Sequence, residues 1–263
     1  MRLVVGEVLA ESFGFFFARL GLFFHLVTLP WILSLLLRIG ASALSEPGLM
    51  SGLVEKAVDV VPTIMFVVAW MRVVLLGPQR VERLPGLGWS AREMAFLFHL
   101  AKVAGITFLL LAAMFLVVGP IEPSMLGRAP ADPETMRREA MATPIGVGFI
   151  VSFLLALRVS FGLAATAVDL AWSPRRSWAW GRGNGWPIIG SLFLILLAGS
   201  VANAVAIVVP LSLLGSLGAG SAAMVVTWTV ATLVSYGGTA LLATAQAVIF
   251  RRLTKWREGV PLA

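Results

Sequence analysis

Arginines inside apolar runs are the residues of this chain best suited to carry chemistry. Arg72 and Arg158 both stand within such runs, and an arginine at the centre of a membrane span costs roughly 2.5–3.5 kcal/mol on insertion scales, so it usually has a partner or a function. Arg72 lies about one helical turn before Gly77, where its side chain can snorkel to the headgroups. Ten mostly apolar residues separate Arg158 from Asp169, which predicts a position about 15 Å deeper along a helix.

Asp169 is too far along the same helix to bond Arg158 directly, so the partners of Arg158 are expected on other spans. Asn203 and Gln246 are the polar residues that could supply them. We therefore predict an intramembrane polar cluster made of Arg72, Arg158, Asp169, Asn203 and Gln246. Three interpretations of Arg158 stay open: a structural polar cluster, a substrate or headgroup site, and snorkelling to the interface.

The glycine-rich stretch from Gly181 to Gly185 is a second candidate for chemistry. It is not a nucleotide-binding loop, because no strand precedes it and no P-loop lysine follows it. A glycine-rich turn that leads into a helix can still hold a phosphate through its backbone N–H groups. The residues expected to contact an anionic lipid headgroup are Arg175, Arg176, Arg182 and Asn184. The alternative is an interfacial turn whose arginines only follow the positive-inside rule.

Few residue types remain for other chemistry. The chain has no cysteine and two histidines, which excludes disulfides, thiolate metal sites and cysteine nucleophiles. His25 and His99 could ligate a haem, but nothing else in the sequence supports a cofactor, so we expect no cofactor and no metal. No G-x-S-x-G or H-E-x-x-H motif occurs, and we do not expect an enzyme.

Composition excludes a water-soluble domain. Of the 263 residues, 59% are hydrophobic and 13% charged, against roughly 25% charged in an ordinary soluble domain, and the mean hydropathy is +0.94. A helix crosses a membrane with roughly 20 mostly apolar residues. The alternation of a barrel is absent, so we predict an all-α integral membrane protein. Its six predicted spans are Arg19–Leu44, Val60–Leu76, Ala101–Gly119, Ile145–Trp172, Pro187–Leu214 and Ala222–Phe250.

The charges between the spans predict the orientation. With both termini on one side, that side holds 15 of the 20 Lys and Arg residues and six of the 13 acids, for +9 against −2 on the other side. The positive-inside rule then places both termini in the cytoplasm. The cations flank spans and are not interleaved with stacking aromatics, so we expect anionic lipids as partners and no nucleic acid.

A weak internal repeat suggests how the spans are organised. Leu22–Leu26 resembles Phe96–Leu100, 74 residues later. We predict one domain over 1–263 with pseudo-repeats at roughly 1–80, 81–175 and 176–263, each an amphipathic segment followed by a helical hairpin. The amphipathic segments, expected along the cytoplasmic interface, are Leu3–Ala18, Trp89–Leu100 and Ser177–Trp186. A capping box is predicted at Ser90 and Glu93. The alternative is the ordinary recurrence of apolar segments in any six-span protein.

Three motifs carry a resemblance to a known family. They are Trp70 to Gly77 (WMRVVLLG), Ala167 to Asp169 (AVD) and Ser177 to Trp186 (SWAWGRGNGW). Together the chain resembles YciC-like bacterial inner-membrane proteins, which are related to the membrane domain of some glycerophosphodiester phosphodiesterases. The resemblance implies a six-helix domain in the bacterial inner membrane with no assigned chemistry. The sequence contains no phosphodiesterase domain, so that activity is not expected.

Two functions follow as expectations. The first is a non-enzymatic accessory or scaffold protein that binds anionic lipid headgroups on its cytoplasmic face, and the alternative is a transporter or a lipid- or amphiphile-handling protein. Small residues recur four apart in the fifth span at Ala198, Ala202 and Ala206, a spacing typical of close helix packing. Such packing could lie within the last hairpin, or it could join a second copy or another membrane protein.

Overall fold

The computed structural model describes residues 2–44, 49–80, 89–118, 133–216 and 220–258. The helices in these ranges are α1 (Val5–Ala18), α2 (Leu20–Leu44), α3 (Leu49–Leu76), α4 (Ala91–Val118), α5 (Pro133–Ser160), α6 (Ala164–Ala167), α7 (Pro174–Trp180), α8 (Gly185–Ser216) and α9 (Gly220–Thr254). Short 3-10 turns follow α3 at Pro78–Arg80 and α5 at Phe161–Leu163. No strand occurs in these ranges, and the all-α class is confirmed.

Six of the helices in the described ranges are long and apolar enough to cross a membrane, as predicted. Their apolar parts are Leu20–Gly40, Asp59–Leu76, Ala91–Met114, Ile145–Ala167, Gly185–Leu214 and Ala222–Thr254. The third begins about ten residues before the predicted start, because most of the amphipathic segment Trp89–Leu100 forms the first turns of α4 itself. Phe96 and Val103, two helical turns apart, are both buried, so one continuous face of α4 packs inward. The separate surface helix expected there is wrong.

The spans pack as three hairpins, α2 with α3, α4 with α5 and α8 with α9. In every hairpin the returning helix is the more buried one. The buried shares are 56%, 39% and 61% for the second, fourth and sixth spans, against 28%, 11% and 17% for the first, third and fifth. This regularity is what a threefold repeat would produce, and the repeat itself stays a prediction.

The interior of the bundle is aromatic between the first and last hairpins. Trp70 of α3 is fully buried, and its indole N–H donates to Thr244 Oγ1 of α9 at 2.8 Å. Phe23 and Phe66 pack edge-on or stacked against the same indole. Within the last hairpin, a Cβ built on Gly199 would lie 3.5 Å from the Cα of Gly238. The small residues of α8 therefore let it approach α9 of the same hairpin closely.

Two short helices cover one end of the bundle, which we call the cationic end. It carries α1, α7 and the last turn of α9. Glu7 and Glu11 of α1 pair with Arg251 and Arg252 of α9, with Arg252 Nη1 2.6 Å from a Glu7 oxygen. One half of the predicted capping box at the start of α4 is present, because the Ser90 N–H donates to Glu93 Oε2 at 3.0 Å. Ser90 Oγ accepts from the Arg92 N–H at 3.2 Å. Which side of the membrane this end faces stays a prediction, with the cytoplasm expected.

Candidate functional site

Arg158, near the end of α5, lies at the cationic end and stacks on a tryptophan. Its Cζ is 3.6 Å from the ring centroid of Trp178 of α7, which is cation–π geometry. The stack gives the guanidinium no hydrogen-bond acceptor. Its Nε is buried and has no hydrogen-bond partner, and no acid in the described ranges forms an ion pair with Arg158.

The position of Trp178 is set by a tight contact between α7 and the 3-10 turn that follows α5. Gly162 of that turn packs against Ser177, where a Cβ would lie 1.8 Å from the Ser177 hydroxyl. The Trp172 indole N–H donates to the same hydroxyl at 2.7 Å. Ser173 caps the start of α7 by accepting from the Arg176 N–H. These contacts fix α7 against α5, so they fix the ring beside Arg158.

The other neighbour of the Arg158 guanidinium is the start of α8. A Cβ built on Gly185 would lie 3.0 Å from both Cζ and Nη1 of Arg158, so the guanidinium packs against bare backbone. The first turn of a helix carries unpaired N–H groups and the positive end of the helix dipole. Arg158 therefore places a cation beside a second positive centre. An anion between them would relieve that repulsion.

A cavity of about 480 Å³ opens at this point between α5 and α8, and we call it the Arg158 cavity. Its volume is within the range of roughly 300–1,000 Å³ that ligand pockets show. Beyond the guanidinium and the glycines of the turn its walls are apolar. It is lined by Val151, Leu154, Leu155, Arg158, Gly183, Gly185, Trp186, Pro187 and Ile189. An anionic group with an attached apolar chain fits such walls.

A second cavity, of about 280 Å³, lies on the other side of α5, against α4 and α7. Leu155 lines both cavities, and Trp178, which stacks on Arg158, lines the second one. The charged side chain of this second cavity is Arg175, and its other walls are mostly apolar, from Val103, Ile106 and Leu110 of α4. Each side of α5 therefore combines one arginine with an apolar surface.

The four residues expected to contact a headgroup lie in different surroundings. Arg175 lines the second cavity, and Arg182 is exposed on the turn before α8. Arg176 Nη1 donates to the Ala171 carbonyl at 3.0 Å. Asn184 is 6% exposed, and its Oδ1 accepts the backbone N–H of Leu3 at 2.8 Å. Asn184 thus joins the start of the chain to the turn through its amide oxygen, and its role as a headgroup ligand stays a prediction.

The predicted polar cluster is divided among separate places. Asp169 accepts two hydrogen bonds from Arg92, at 2.8 and 2.9 Å. Arg72 Nη1 lies 3.7 Å from Asp169 and donates to the Ala167 carbonyl at 3.0 Å. Gln246 Nε2 donates to Ser160 Oγ at 3.1 Å. The expectation that Asn203 or Gln246 is the partner of Arg158 is corrected, because Arg158 turns toward α7 at the interface instead of toward the bundle interior.

Asn203 lies in a cavity that the sequence analysis missed. This cavity, of about 230 Å³, also holds Arg38 of α2, Asp59 of α3 and Tyr236 of α9. Arg38 and Asp59 stand near span ends, where charges are ordinary, so the charge count assigned them to the outer flank. The available signal was their opposite charge on the two helices of one hairpin.

The two histidines, which occupy equivalent positions of the predicted repeat, have different surroundings. His99 Nδ1 is hydrogen-bonded to Thr166 Oγ1 at 2.8 Å and its ring packs on Trp172, whereas His25 is exposed. Within the described ranges, no group of three or more His, Asp or Glu side chains is placed to hold a metal ion.

Comparison with known proteins adds no assignment: no family model, curated protein or solved structure matches the chain. The resemblance to YciC-like proteins therefore stays a prediction. What can be argued about function comes from the geometry of the cavities.

Proposed function

We propose that this chain is a non-enzymatic membrane protein that binds the phosphate of an anionic lipid in the Arg158 cavity, on the predicted cytoplasmic side. The observation that carries the proposal is the guanidinium of Arg158. It has no acidic partner among the residues that the structure describes, and it packs against the N-terminus of a 32-residue helix at an otherwise apolar cavity.

Electrostatics favours an anion at this place. The helix start carries the equivalent of roughly half a positive charge, and the guanidinium adds a full one next to it. A phosphate oxygen can accept from the guanidinium and from backbone N–H groups of the turn together. Charge-assisted hydrogen bonds of this kind are worth about 1.5–3 kcal/mol each.

The walls of the cavity favour a lipid over a water-soluble phosphate. Val151 and Leu154 of α5 and Ile189 of α8 continue the cavity along the apolar spans. Trp186 at the rim is 78% exposed, and tryptophan is enriched at the membrane interface, where its ring sits at the headgroup level. A lipid whose headgroup binds Arg158 would therefore place its acyl chains along the apolar surfaces of α5 and α8.

The setting of this site is part of the proposal. The positive-inside rule supports both termini in the cytoplasm, and the resemblance supports the bacterial inner membrane. A bound structural lipid suits an accessory or scaffold protein whose partners are membrane lipids and a second copy or another membrane protein.

The test measures phosphatidylglycerol retained by the full-length protein. Wild type, Arg158→Gln and Arg257→Gln are reconstituted in phosphatidylcholine nanodiscs with a minor fraction of phosphatidylglycerol and released for native mass spectrometry. Arg257 is exposed at the cationic end, so it is the matched control for loss of one charge. We expect Arg158→Gln to weaken retention at least about tenfold, which is about 1.4 kcal/mol, and Arg257→Gln to leave it unchanged.

A triple variant separates the cavity from the arginine-rich surface around it. Arg175→Gln, Arg176→Gln and Arg182→Gln remove three charges and leave Arg158 in place. We expect a much smaller loss than for Arg158→Gln alone. Equal retention by Arg158→Gln and wild type, or a larger loss in the triple variant, would contradict the proposal, provided that melting temperatures show all variants folded.

A further inference from the structure

We propose a second binding site, in the cavity formed by Arg38, Asp59, Asn203, Tyr236 and their neighbours, for a small zwitterion that carries a primary ammonium and an anionic group. We call it the outer cavity. It lies between α2, α3, α8 and α9, away from the cationic end, and the proposal does not depend on the lipid site.

The first argument is a pair of buried acceptors. Asp59 Oδ1 and Asn203 Oδ1 are both buried without a hydrogen-bond partner, and both residues line the outer cavity. Buried polar atoms normally find partners, and each exception calls for an explanation such as a ligand or an ion. Two orphan acceptors, one of them on a carboxylate, are matched by a ligand with several donors and a positive charge.

Two of the hydroxyls that line the cavity are already hydrogen-bonded elsewhere. The hydroxyls of Tyr236 and Ser34 share a hydrogen bond of 2.7 Å. Thr239 Oγ1 donates to the carbonyl of Ser235 one turn earlier, at 2.9 Å. Tyr236 and Thr239 line the cavity, and their hydroxyls take part in these other hydrogen bonds. A primary ammonium supplies three N–H donors, enough for the carboxylate of Asp59 and the amide oxygen of Asn203 together.

The second argument is charge balance. Among the described residues that line it, the cavity has one cation, Arg38, and one anion, Asp59. A ligand with only an ammonium would meet the guanidinium, whereas a ligand with a second, anionic group presents each charge to its opposite. Arg38 Nη1 donates to Thr232 Oγ1 at 3.3 Å, among other contacts of this side chain. A guanidinium has five N–H donors, so an anion in the cavity adds to these contacts and does not have to replace them.

Size and depth favour a free solute over a lipid headgroup. The volume of about 230 Å³ is below the usual range for drug-sized ligands, roughly 300–1,000 Å³. Asn203 lies 18 residues into α8, about 27 Å from its start, so it is past the middle of the fifth span. Polar groups inside a span usually face a water-filled path or a binding site. From Asn203 the shorter path to water leads to the end of the bundle opposite the cationic end.

The main experiment is calorimetric titration of the full-length protein in nanodiscs of phosphatidylcholine and phosphatidylglycerol. The probes are β-alanine as the zwitterion, ethanolamine as the ammonium alone and propionate as the anion alone. We expect β-alanine to bind at least tenfold more tightly than either single-charge probe. No binding of β-alanine, or equal binding of all three, would overturn the proposal.

Variants assign the two charges of the ligand to their partners. Asp59→Asn and Asn203→Leu are expected to weaken β-alanine binding at least tenfold, and Gln246→Leu, which removes a polar side chain outside the cavity, is the matched control. Arg38→Gln should weaken β-alanine binding but not ethanolamine binding, because the lost guanidinium attracts the anionic group and repels the ammonium. If the Asp59→Asn variant binds β-alanine with the same affinity as wild type, the proposed site is wrong.

A labelling experiment keeps the proposal testable if these variants unfold. The chain has no cysteine, so Ser235→Cys places a single thiol at the cavity. We expect a membrane-impermeant thiol reagent to label it, and β-alanine to slow labelling at least fivefold. Labelling that β-alanine does not slow overturns the proposal. A thiol protected only when the nanodisc contains phosphatidylethanolamine also overturns it, in favour of a lipid headgroup.

Discussion

The Arg158 cavity and the outer cavity each contain an arginine, and the comparison between them shows how the surroundings of a cation determine what it can bind. Arg158 has an aromatic ring, a helix start and apolar walls. Arg38 shares its cavity with a carboxylate, an amide and several hydroxyls. The orphan atom at the first site is a donor, Nε of Arg158, and at the second site both orphan atoms are acceptors. The first site therefore matches an anion, and the second one also requires an ammonium.

The largest effect is expected from Gly162→Ala. The new Cβ would lie 1.8 Å from Ser177 Oγ and 2.6 Å from Trp172 Nε1, so α7 must move away from α5. Overpacking of this kind costs about 1–3 kcal/mol or more. The melting temperature should fall and phosphatidylglycerol retention should be lost, whereas β-alanine binding in the outer cavity should survive.

The control for that variant is Gly146→Ala, since a Cβ on Gly146 of α5 has no atom within 4 Å. Its melting temperature and lipid retention should match those of wild type. If Gly162→Ala retained lipid normally, the position of α7 would not matter for the Arg158 cavity.

A smaller effect is expected from Gly185→Ala. The new Cβ would lie 3.0 Å from the Arg158 guanidinium. It would therefore push the guanidinium away from the start of α8. Separating the two positive centres should weaken phosphatidylglycerol retention about fivefold, or about 1 kcal/mol, with little change in melting temperature. Gly190→Ala is the control, because its Cβ would lie at an ordinary 3.7 Å from Val5. Equal lipid retention by the Gly185→Ala and Gly190→Ala variants would mean that the start of α8 does not contribute to the site.

A still smaller effect is expected from Trp178→Leu. Loss of the cation–π contact with Arg158 should cost about 0.5–1 kcal/mol, since the tryptophan is 42% exposed. Retention of phosphatidylglycerol should fall about two- to fivefold in native mass spectrometry. Trp178→Phe keeps a ring and should lose less. If the Phe and Leu variants lost the same amount of lipid retention, the ring of Trp178 would contribute only apolar contact area and no cation–π attraction.

The smallest effect is expected from Glu11→Gln, which breaks the ion pairs of α1 with Arg251 and Arg252. Such pairs contribute about 0.2–1 kcal/mol near a surface and are screened by salt. The melting temperature should fall by a few degrees at low salt and by less at high salt. Neither cavity should change its binding, and a loss of β-alanine affinity would show that α1 is coupled to the outer cavity.

Features that depend on local sequence could be predicted. Six spans follow from apolar runs of sufficient length, and the Ser90 and Glu93 pair follows from its three-residue spacing. The continuity of Trp89–Leu100 with the third span was missed, because an amphipathic pattern alone does not distinguish a surface helix from the first turns of a spanning one. Burial of Phe96 decides that point only once its neighbours are known.

The sites depend on contacts between distant segments, and this limited their prediction. Polar side chains were the expected partners of Arg158, but its partner is the ring of Trp178, which the packing of Gly162 on Ser177 brings near. The outer cavity draws on four helices, and no spacing in the sequence brings Asp59 to Asn203. Opposite charges on the two helices of one hairpin are the signal worth seeking elsewhere.

The hydrogen bond from the Leu3 N–H to Asn184 has a consequence for biosynthesis. The ribosome delivers Leu3 about 180 residues before Asn184, and the arginines that pair with α1 come later still, at 251 and 252. The first helix of the chain is therefore among the last to reach its final place. Glu7 and Glu11 lack these partners until the third hairpin has been synthesised, so α1 reaches its final position only after the last span is in place.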